Sequence, residues 1–355
     1  MVLPVRLLVI ITAWRQKFTA KIFLARKNKM CYTDLRIELS KVEEINMRAR
    51  VIYNPSAGRE MFRKELPYVL ERLEEAGYET SAHATKGEGC ATKAARVAVE
   101  RKFDLIVVAG GDGTINEVIS GIAEQEYKPK VGIIPAGTTN DFARALAIPR
   151  EVKKAVEIIL QHNEQALDIG KVNGQYFINI AGGGDLTELT YDVPTKMKSA
   201  IGQLAYYLKG IEMLPSLRPV SVTIEYDDNV YNGEIMLFLV ANTNSVGGFE
   251  KLAPDALVDD GYFDLLILEK TSLPEFLRLA TAAVRGNHLD DDKIIYAQAK
   301  RIKVTPDEKM LLNIDGEYGG ELPGEIVNLK QHITFLVTEE FIEREQNIRR
   351  KRELE

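Results

Sequence analysis

Three short segments of small and polar residues could bind a phosphate group. They are residues 54–58, 110–117 and 135–141, and each directly follows a short apolar run that favours a β-strand. Glycines let the backbone approach a polyphosphate closely, and free N–H groups at a helix start point towards the anion. The spacing matches neither the GxxxxGKS/T loop nor the GxGxxG dinucleotide fingerprint. The sequence therefore predicts a nucleotide site of another type.

Two of these segments contain a carboxylate, at Asp112 and at Asp141. A carboxylate would repel a phosphate, so its presence indicates a divalent cation such as Mg²⁺, which it would face directly or through water. The alternative is that Gly-Asp-Gly forms only a turn, since Asp-Gly pairs are common in turns. Three phosphate-compatible segments at strand ends favour the metal site.

A second pair of acids, Asp315 and Glu317, lies near the end of the chain. They flank Gly316 after a short apolar strand predicted at residues 311–314. Phosphoryl transfer to a hydroxyl group needs a base near the acceptor and a metal ion at the transferred phosphate. Both carboxylates are candidates for the base. The alternative is that Asp-Gly-Glu forms a surface β-turn.

Strands and helices alternate from Met47 onward. Strands are predicted at residues 50–53, 78–85, 104–109 and 131–134, and helices at residues 66–76, 90–101, 115–123 and 142–146. This order predicts an α/β domain with a mostly parallel sheet covered by helices on both faces. Ligands bind such sheets at the carboxyl ends of the strands, where all three segments lie.

β-rich segments with few helices between them follow residue 168. Strands are predicted at residues 176–181, 220–226, 234–241, 262–268, 301–304, 311–314 and 332–338. They predict an antiparallel β-sandwich as a second domain, closely packed on the first with the site in the cleft between them. The expected domains are residues 47–167, completed by about 329–355, and residues 168–328. The charged tail, residues 339–355, is predicted to be a solvated helix.

Charge separates residues 1–46 from the rest of the chain. The 355 residues include 46 basic and 52 acidic side chains, a net charge of −6, whereas residues 1–46 carry nine basic and four acidic ones. The total does not indicate a nucleic-acid binder, and two cysteines cannot form a disulfide framework. The apolar run at residues 7–14 is too short to span a bilayer. We expect residues 1–46 to lie outside the fold, upstream of a translation start at Met47; a basic membrane anchor and a poorly ordered tail are the alternatives.

The combination of motifs resembles the diacylglycerol kinase catalytic superfamily, which includes sphingosine kinases and bacterial lipid kinases. The resemblance rests on residues 54–58, on GGDGT at 110–114 with Asn116 and Glu117, and on PAGTTNDFAR at 135–144. GGDGT alone is shared with NAD kinases, but the Asn-Asn-Glu motif usual in NAD kinases is absent. The resemblance extends from Met47 to about Thr338. Residues 257–262 and 313–317 look most like soluble bacterial diacylglycerol kinases.

The resemblance implies a role for each matching residue. ATP would be bound by Asn54, Pro55, Ser56, Ala57, Gly58, Thr85, Gly111, Asp112, Gly113, Thr114, Ile115, Asn116, Glu117 and Thr138. The catalytic Mg²⁺ would involve Asp112, Asp141 and Asp168, and a second, structural Mg²⁺ would involve Asp260 with the backbone carbonyls of Leu257 and Tyr262. Glu317 would be the proton acceptor with Asp315 in support, although the sequence cannot rank two acids one glycine apart. Without the resemblance, Asp168 and Asp260 fit ordinary turns.

The function implied by the resemblance is ATP-dependent phosphorylation of diacylglycerol to phosphatidic acid, in phospholipid and lipoteichoic-acid-linked recycling. The protein would be cytoplasmic and would visit the inner face of the cell membrane, without a nucleic-acid partner. Arg59, Lys64, Arg144 and Lys209 would form a basic lip for anionic lipid, and residues 200–214 either an acyl-chain cleft or an ordinary core helix. A homodimer through an exposed sandwich edge is a further expectation. The alternatives are a kinase for another lipid alcohol (a sphingoid base or a phosphatidylglycerol-like lipid), an NAD kinase and a non-catalytic nucleotide sensor.

Overall fold

The structure of the protein is a computed structural model. It describes residues 7–12, 19–26, 29–35, 47–57, 62–184, 218–244 and 252–354. Two compact units follow one another along the chain, Met1–Asn46 and Met47–Glu355. Among the helices of the described ranges, none is both long enough and apolar enough to cross a membrane.

The first unit contains an antiparallel sheet. Its strands are β1 (Leu7–Thr12), β2 (Thr19–Arg26) and β3 (Lys29–Leu35), in that order across the sheet. Leu7 lies opposite Leu24 in the first pair, and Arg26 lies opposite Lys29 in the second. Consecutive strands joined by short connections pair in this way.

The second unit begins with an α/β half. Its strands are β4 (Met47–Tyr53), β5 (Tyr78–Ala84), β6 (Leu105–Gly110) and β7 (Lys130–Pro135), and its described helices are α1 (Phe62–Glu75), α2 (Cys90–Glu100), α3 (Asp112–Ile122), α4 (Asp141–Ala145) and α5 (Val152–Gln161). The strands pair in parallel in the order β5, β4, β6, β7. Every residue of β6 is buried, which explains its uninterrupted apolar sequence.

The rest of the second unit is rich in antiparallel strands. They are β8 (Glu164–Val172), β9 (Gln175–Phe177), β10 (Ile180–Gly183), β11 (Val220–Tyr226), β12 (Asn229–Ala241), β13 (Phe263–Glu269), β14 (Ile294–Ala299), β15 (Arg301–Pro306), β16 (Leu311–Ile314), β17 (Glu317–Glu321) and β18 (Gly324–Leu336). Helix α6 (Leu273–Arg285) lies between β13 and β14, and helix α7 (Glu339–Leu354) follows β18. Inward-facing residues such as Phe238, Phe263 and Ile302 form the core of the sandwich.

Strand β18 joins the two halves. Its first residues pair with β15, and near its end Phe335 lies parallel and opposite to Val131 of β7. Strand β8 runs antiparallel along β18, with a register shift between Leu329 and Ile333. The parallel strands and the β16–β17 hairpin therefore belong to one hydrogen-bonded sheet, which fixes the distance between their loops.

The predicted fold class, an α/β domain followed by an antiparallel sandwich, is confirmed. Helix α3, however, begins at Asp112 rather than at residue 115, because the extended Gly111 takes the N-cap position. Helix α6 is absent from the prediction, although Ser272 and Glu275 form a capping box at its start. Residues 176–181 form parts of two strands, β9 and β10, rather than one.

The charged tail forms helix α7, as predicted, but one side of the helix packs against the molecule, so it is not solvated all round. Phe341 and Glu345 are buried. The guanidinium of Arg344 donates to the Ala145 carbonyl at 2.5 Å, which connects α7 to the end of α4. Further along the helix, Arg349 forms an ion pair with Asp259. A highly charged sequence hides this role because its few buried positions form only a narrow stripe.

We expect Glu345→Gln to raise stability in a pH-dependent manner. Burial raises the pKa of Glu345 to about 7, against an opposing effect of Arg344. The folded-state pKa lies above the unfolded one. The contribution of the protonated carboxyl to the free energy of unfolding is therefore complete below about pH 4.5 and is lost as the pH rises through 7. The neutral variant should therefore exceed wild type by about 1–3 kcal/mol at pH 8 and match it near pH 4.5.

Thermal unfolding of both proteins between pH 4.5 and 8 tests this expectation. The exposed neighbour Glu343 provides the matched control, and Glu343→Gln should change nothing. A lower melting temperature for Glu345→Gln at pH 8 would mean that the ionised carboxylate stabilises α7 through Arg344.

Candidate active site

Two of the three predicted loops lie side by side at the carboxyl edge of the parallel sheet. Gly110 pairs with Pro135 across β6 and β7, and the Ala136 N–H donates to the Gly110 carbonyl at 2.8 Å. The Thr114 side chain packs on Gly110, where an added Cβ would lie only 2.6 Å from the Thr114 Cβ. The parallel arrangement brings these strand ends together, as the sequence predicts.

The third loop continues the same edge on the other side of β6. The Asn54 N–H donates to the Ala109 carbonyl at 3.0 Å, and the Asn54 Oδ1 accepts the Ser56 N–H at 2.9 Å, which closes a tight turn. At the end of β5, the Thr85 N–H donates to the Tyr53 carbonyl at 2.9 Å. The strand-end loops of β4, β5, β6 and β7 thus form one continuous rim.

Gly111 and Gly137 bring two loops into direct backbone contact. A Cβ atom on Gly137 would lie 2.4 Å from the Cα of Gly111 and 2.8 Å from the Oδ1 of Asn140. Both separations are shorter than real Cβ contacts. Position 137 therefore requires glycine because the two backbones approach each other too closely for any side chain.

The Asp112 carboxylate holds the loop at residues 135–141 against the loop at residues 110–117. Its carboxylate accepts the Thr139 hydroxyl and the N–H groups of Asp141 and Phe142, each at 3.1 Å. The two backbone donors are the first N–H groups of α4, which have no partner inside that helix. Asp112 therefore caps α4 from a neighbouring loop, a role that its own sequence neighbours do not predict.

Asn140 and two arginines shape the same loop, in roles that the sequence does not predict. Asn140 adopts a left-handed conformation with φ 53°, and its side-chain amide accepts the Gly137 N–H at 2.7 Å and donates to the Gly137 carbonyl at 2.9 Å. Asparagine tolerates this conformation well, which is a usable sequence signal. It shapes the turn that lies against Gly111.

The arginines Arg144 and Arg150 hold the same loop from outside. The Arg144 guanidinium donates to the Thr139 carbonyl at 2.9 Å, and that of Arg150 donates to the Thr138 carbonyl at 2.8 Å. Arg144 also pairs with Asp141 at 3.3 Å. Its guanidinium thus supports the loop, and its predicted contact with anionic lipid stays a prediction.

Two residues of the glycine segment have side chains that serve the scaffold. Ile115 is fully buried in the core of the α/β half. Glu117 accepts the Ala91 N–H at 2.8 Å, which caps the start of α2. Any contact of these two positions with a nucleotide stays a prediction.

Asp315 lies at the tip of the β16–β17 hairpin. Asp315 and Gly316 have φ values of 50° and 89°, as a type I′ hairpin turn requires, so the interpretation as a β-turn is correct in geometry. The carboxylate is nevertheless enclosed by donors: the N–H groups of Ile178 at 2.9 Å, Asn179 at 2.8 Å and Ile180 at 3.0 Å, and the Asn116 amide at 2.8 Å. Burial raises the pKa of Asp315 to about 6, against the effect of these donors.

Glu317 begins β17 and faces the glycine segment. An added Cβ on Gly113 would lie 3.0 Å from the Glu317 Oε1, so the carboxylate is adjacent to the first turn of α3. Glu317 is exposed, whereas the oxygens of Asp315 are engaged by four donors. The structure thus separates two acids that the sequence cannot rank.

Asp168 lies within β8 rather than in a strand-end turn. Its carboxylate accepts the N–H groups of Gly261 and Gln331, both at 2.6 Å. Burial raises the pKa of Asp168 to about 6, while these N–H donors act in the opposite direction. The contacts connect Asp168 to the loop at residues 257–262, and its predicted part in the catalytic metal site stays a prediction.

The Asp260 carboxylate, predicted to hold the second magnesium ion with the Leu257 and Tyr262 carbonyls, does not fit a metal in this arrangement. The Asp260 carboxylate accepts the Tyr262 N–H at 2.9 Å through one oxygen and the Arg352 guanidinium at 2.9 Å through the other. Leu257 is buried. A guanidinium on the carboxylate repels a second cation, so Arg352 already supplies the positive charge that the metal would bring.

The Asp112 carboxylate fits a hydrated Mg²⁺, whereas Asp141 already pairs with Arg144 at 3.3 Å, so its part in the metal site stays a prediction. Asp112 uses three of its about four acceptor positions, which leaves one for a metal-bound water. Proteins hold Mg²⁺ through one or two carboxylates together with substrate phosphates. In the described part of the chain, no group of three His, Cys, Asp or Glu side chains forms a dedicated metal cage. One carboxylate with an open acceptor position suits a metal that arrives with a nucleotide.

Some predicted residues lie outside the described residues. These are Gly58, Arg59, Lys209 and residues 200–214, whereas Pro55 and Ala57 lie in the turn that Asn54 closes. The acyl-chain cleft and two members of the basic lip thus lie outside the described residues, whereas Lys64 lies on α1 and Arg144 on α4, and both features stay predictions.

Comparison with known proteins matches both halves of the second unit. The sequence model of the diacylglycerol kinase catalytic domain matches residues 48–172, and that of the YegS C-terminal NAD kinase beta sandwich-like domain matches residues 189–337. The diacylglycerol kinase of Bacillus subtilis (strain 168) is 63% identical over 294 residues, which cover 82% of this chain and 97% of that protein. The diacylglycerol kinase of Staphylococcus aureus (strain Newman) is 50% identical over 298 residues, covering 84% and 95%.

A solved structure shares the fold as well as the sequence pattern. The crystal structure of a diacylglycerol kinase from Bacillus anthracis str. Sterne superimposes with a TM-score of 0.72 at 31% identity, and the match covers 83% of this chain and 98% of that one. Motifs, fold and relatives agree over nearly the whole length of the matched proteins. The chain therefore belongs to the diacylglycerol kinase family.

Proposed function

We propose that the chain transfers the γ-phosphoryl group of ATP to the free hydroxyl group of diacylglycerol and forms phosphatidic acid. The observation that carries this proposal is the position of Glu317, whose Oε1 lies 3.0 Å from the Cβ position of Gly113. A carboxylate beside a phosphate-compatible helix start is where an acceptor base is needed. Relatives named diacylglycerol kinase support diacylglycerol as the acceptor.

The nucleotide phosphates would lie against the start of α3. The N–H groups of its first turn, from Asp112 to Thr114, have no intrahelical acceptor, and the helix dipole favours an anion there. The Gly137 turn lies directly opposite and adds a second stretch of backbone. ATP as the phosphoryl donor is part of this proposal.

Glu317 would act as the general base. Its carboxylate would accept the proton of the lipid hydroxyl while that oxygen forms a bond to the γ-phosphorus and the bond to the β-phosphate oxygen breaks, releasing ADP. Asp315 is unsuited to this role because four N–H donors engage its oxygens. It would hold the hairpin that presents Glu317.

Asp112 and Asp141 would hold Mg²⁺ through water. When bound, the ion neutralises charge on the phosphates of the nucleotide. Asp112 would combine this role with the cap on α4, so the position of the metal and that of the Gly137 turn depend on one side chain.

Removal of the metal should abolish catalysis without changing the stability of the fold. We expect EDTA to abolish phosphoryl transfer, because the phosphates lose their counter-charge, and to leave the melting temperature unchanged. Stability should not respond because Arg352, rather than a metal, neutralises Asp260. Activity and thermal unfolding measured with and without EDTA check both statements. A melting temperature that falls with EDTA and recovers with Mg²⁺ would contradict the second one.

The division of labour along the chain is also part of the proposal. Residues 47–167 with 329–355 would bind the nucleotide, residues 168–328 would bind the lipid, and residues 1–46 would be dispensable for transfer. The two family matches, at 48–172 and 189–337, support this division. Because ATP is cytoplasmic and the acceptor is a membrane lipid, the enzyme would work in the cytoplasm at the inner face of the cell membrane. A homodimer stays a prediction.

A panel of acceptors tests the proposed function. Purified protein would receive γ-labelled ATP and Mg²⁺ with mixed micelles of diacylglycerol, a sphingoid base or phosphatidylglycerol, or with NAD in solution. We expect label in phosphatidic acid and none above background in the other products. Label found only in another lipid would mean that this lipid, rather than diacylglycerol, is the substrate. Label in NADP, or binding of ATP without any transfer, would overturn the proposal.

A further inference from the structure

We infer that Asn116 is a positioning residue that joins the nucleotide helix to the hairpin carrying the base, rather than a ligand of the nucleotide phosphates. Its side-chain nitrogen donates to the Asp315 Oδ2 and to the Tyr176 carbonyl, both at 2.8 Å. The contact with Asp315 spans 199 residues of sequence. It is thus a direct tertiary tie between α3 and the β16–β17 hairpin.

The hydrogen-bond inventory of the amide excludes a phosphate contact. An asparagine amide has two N–H donors, and both are used by partners that can only accept, a carbonyl and a carboxylate. The remaining group is the Oδ1 acceptor, which faces the Ser120 hydroxyl at 3.4 Å. A phosphate oxygen needs a donor, so Asn116 in this arrangement has none to offer.

The positions of Gly113 and Asn116 on α3 connect the Asn116–Asp315 hydrogen bond to catalysis. Gly113 and Asn116 are three residues apart, so they lie on the same face of the helix. Gly113 faces Glu317, and one turn later Asn116 holds Asp315, which is two residues before Glu317. One face of α3 therefore positions both the helix start proposed to bind phosphate and the proposed base.

Asp315 completes the connection on the other side. Its remaining three donors are the consecutive N–H groups of Ile178, Asn179 and Ile180, and its own N–H donates to the Ile180 carbonyl at 2.9 Å. Without Asn116 the hairpin stays attached to the start of β10 but loses its attachment to α3. The distance between Glu317 and Gly113 would then vary more. Catalysis should fall because it is sensitive to displacements of about 1 Å.

The catalytic part of this inference rests on the proposed function, and two measurements keep them apart. In the absence of lipid, we expect Asn116→Ala to bind ATP within about twofold of wild type, because no donor to phosphate is lost. With lipid, its kcat should fall about 10- to 100-fold while KM for ATP stays constant. Ser120→Ala, on the same face, keeps both donors of Asn116 and should match wild type. A tenfold rise in the Kd for ATP, or an unchanged kcat, would overturn the inference.

A double variant tests whether Asn116 acts through Asp315. If it does, Asn116→Ala combined with Asp315→Asn should have the kcat of Asp315→Asn alone, and the losses in melting temperature should likewise fail to add. Independent losses that multiply would contradict the tie. Asn116→Ser replaces Asn116→Ala if the latter does not fold. If wild type transfers no phosphate to diacylglycerol, the proposed function fails, whereas ATP affinity and the melting temperatures still decide the inference.

Discussion

Glu317→Gln is expected to lower kcat for phosphoryl transfer to diacylglycerol by about 10²- to 10⁴-fold, the range typical of a lost general base. Glutamine has the same size but cannot take up the proton of the attacking hydroxyl. Because the backbone of α3 rather than Glu317 would bind the phosphates, the Kd for ATP should stay within a few-fold of wild type. Steady-state kinetics and a lipid-free ATP titration measure the two effects separately.

The same strand offers a matched control. Glu321 lies at the other end of β17, where it pairs with Lys309 at 2.5 Å on the surface. Exposed pairs of this kind contribute at most about 1 kcal/mol, so Glu321→Gln should keep wild-type kinetics. If Glu317→Gln retained wild-type kcat while Asp315→Asn lost it, the roles assigned to the two acids would have to be exchanged.

Gly137→Ala is expected to have the second largest effect, a loss of about 100-fold or more in kcat/KM for ATP. The added Cβ would meet the Cα of Gly111 at 2.4 Å, and neither backbone can yield without displacing the start of α3. Gly111→Ala places its Cβ at 3.2 Å from the Gly137 Cα, so it should cause a smaller loss. The graded pair distinguishes a steric effect on the loops from a general effect of replacing glycine.

Gly87→Ala is the control for this pair, because an added Cβ there meets nothing within 4 Å. It should leave ATP affinity and melting temperature at the wild-type values. Initial rates over a range of ATP concentrations, with thermal unfolding of each variant, provide the comparison. Wild-type kcat/KM in Gly137→Ala would mean that the contact between the two loops is not needed for nucleotide binding.

The sequence predicts the rim of loops well because local chemistry and strand order both indicate it. Gly110 to Gly113 lie at the end of a fully buried strand. In a parallel sheet, ligands bind at the turns that follow the carboxyl ends of such strands. The same logic brings Asn54 and Thr85 to the rim. Such features depend on nearest neighbours in the chain and on the general geometry of parallel sheets.

Roles that depend on distant partners could not be predicted. Whether Asp315 or Glu317 is accessible is decided by the N–H groups near residue 179, which lie more than a hundred residues away in sequence. The resemblance implies a magnesium site at residues 257–262, whereas Arg352 of α7 pairs with Asp260 at 2.9 Å. Helix α7 itself looks solvated because most of its residues are charged, while Phe341 and Glu345 are buried.

The most direct test of the account is the stoichiometry of transfer by the wild-type protein. ADP and phosphatidic acid would be quantified in the same reaction, with and without diacylglycerol, at saturating ATP and Mg²⁺. We expect one phosphatidic acid for each ADP, and only a small fraction of that ADP when lipid is omitted. Equal ADP production with and without diacylglycerol, with no labelled phosphatidic acid, would contradict a lipid kinase in which Glu317 serves the acceptor.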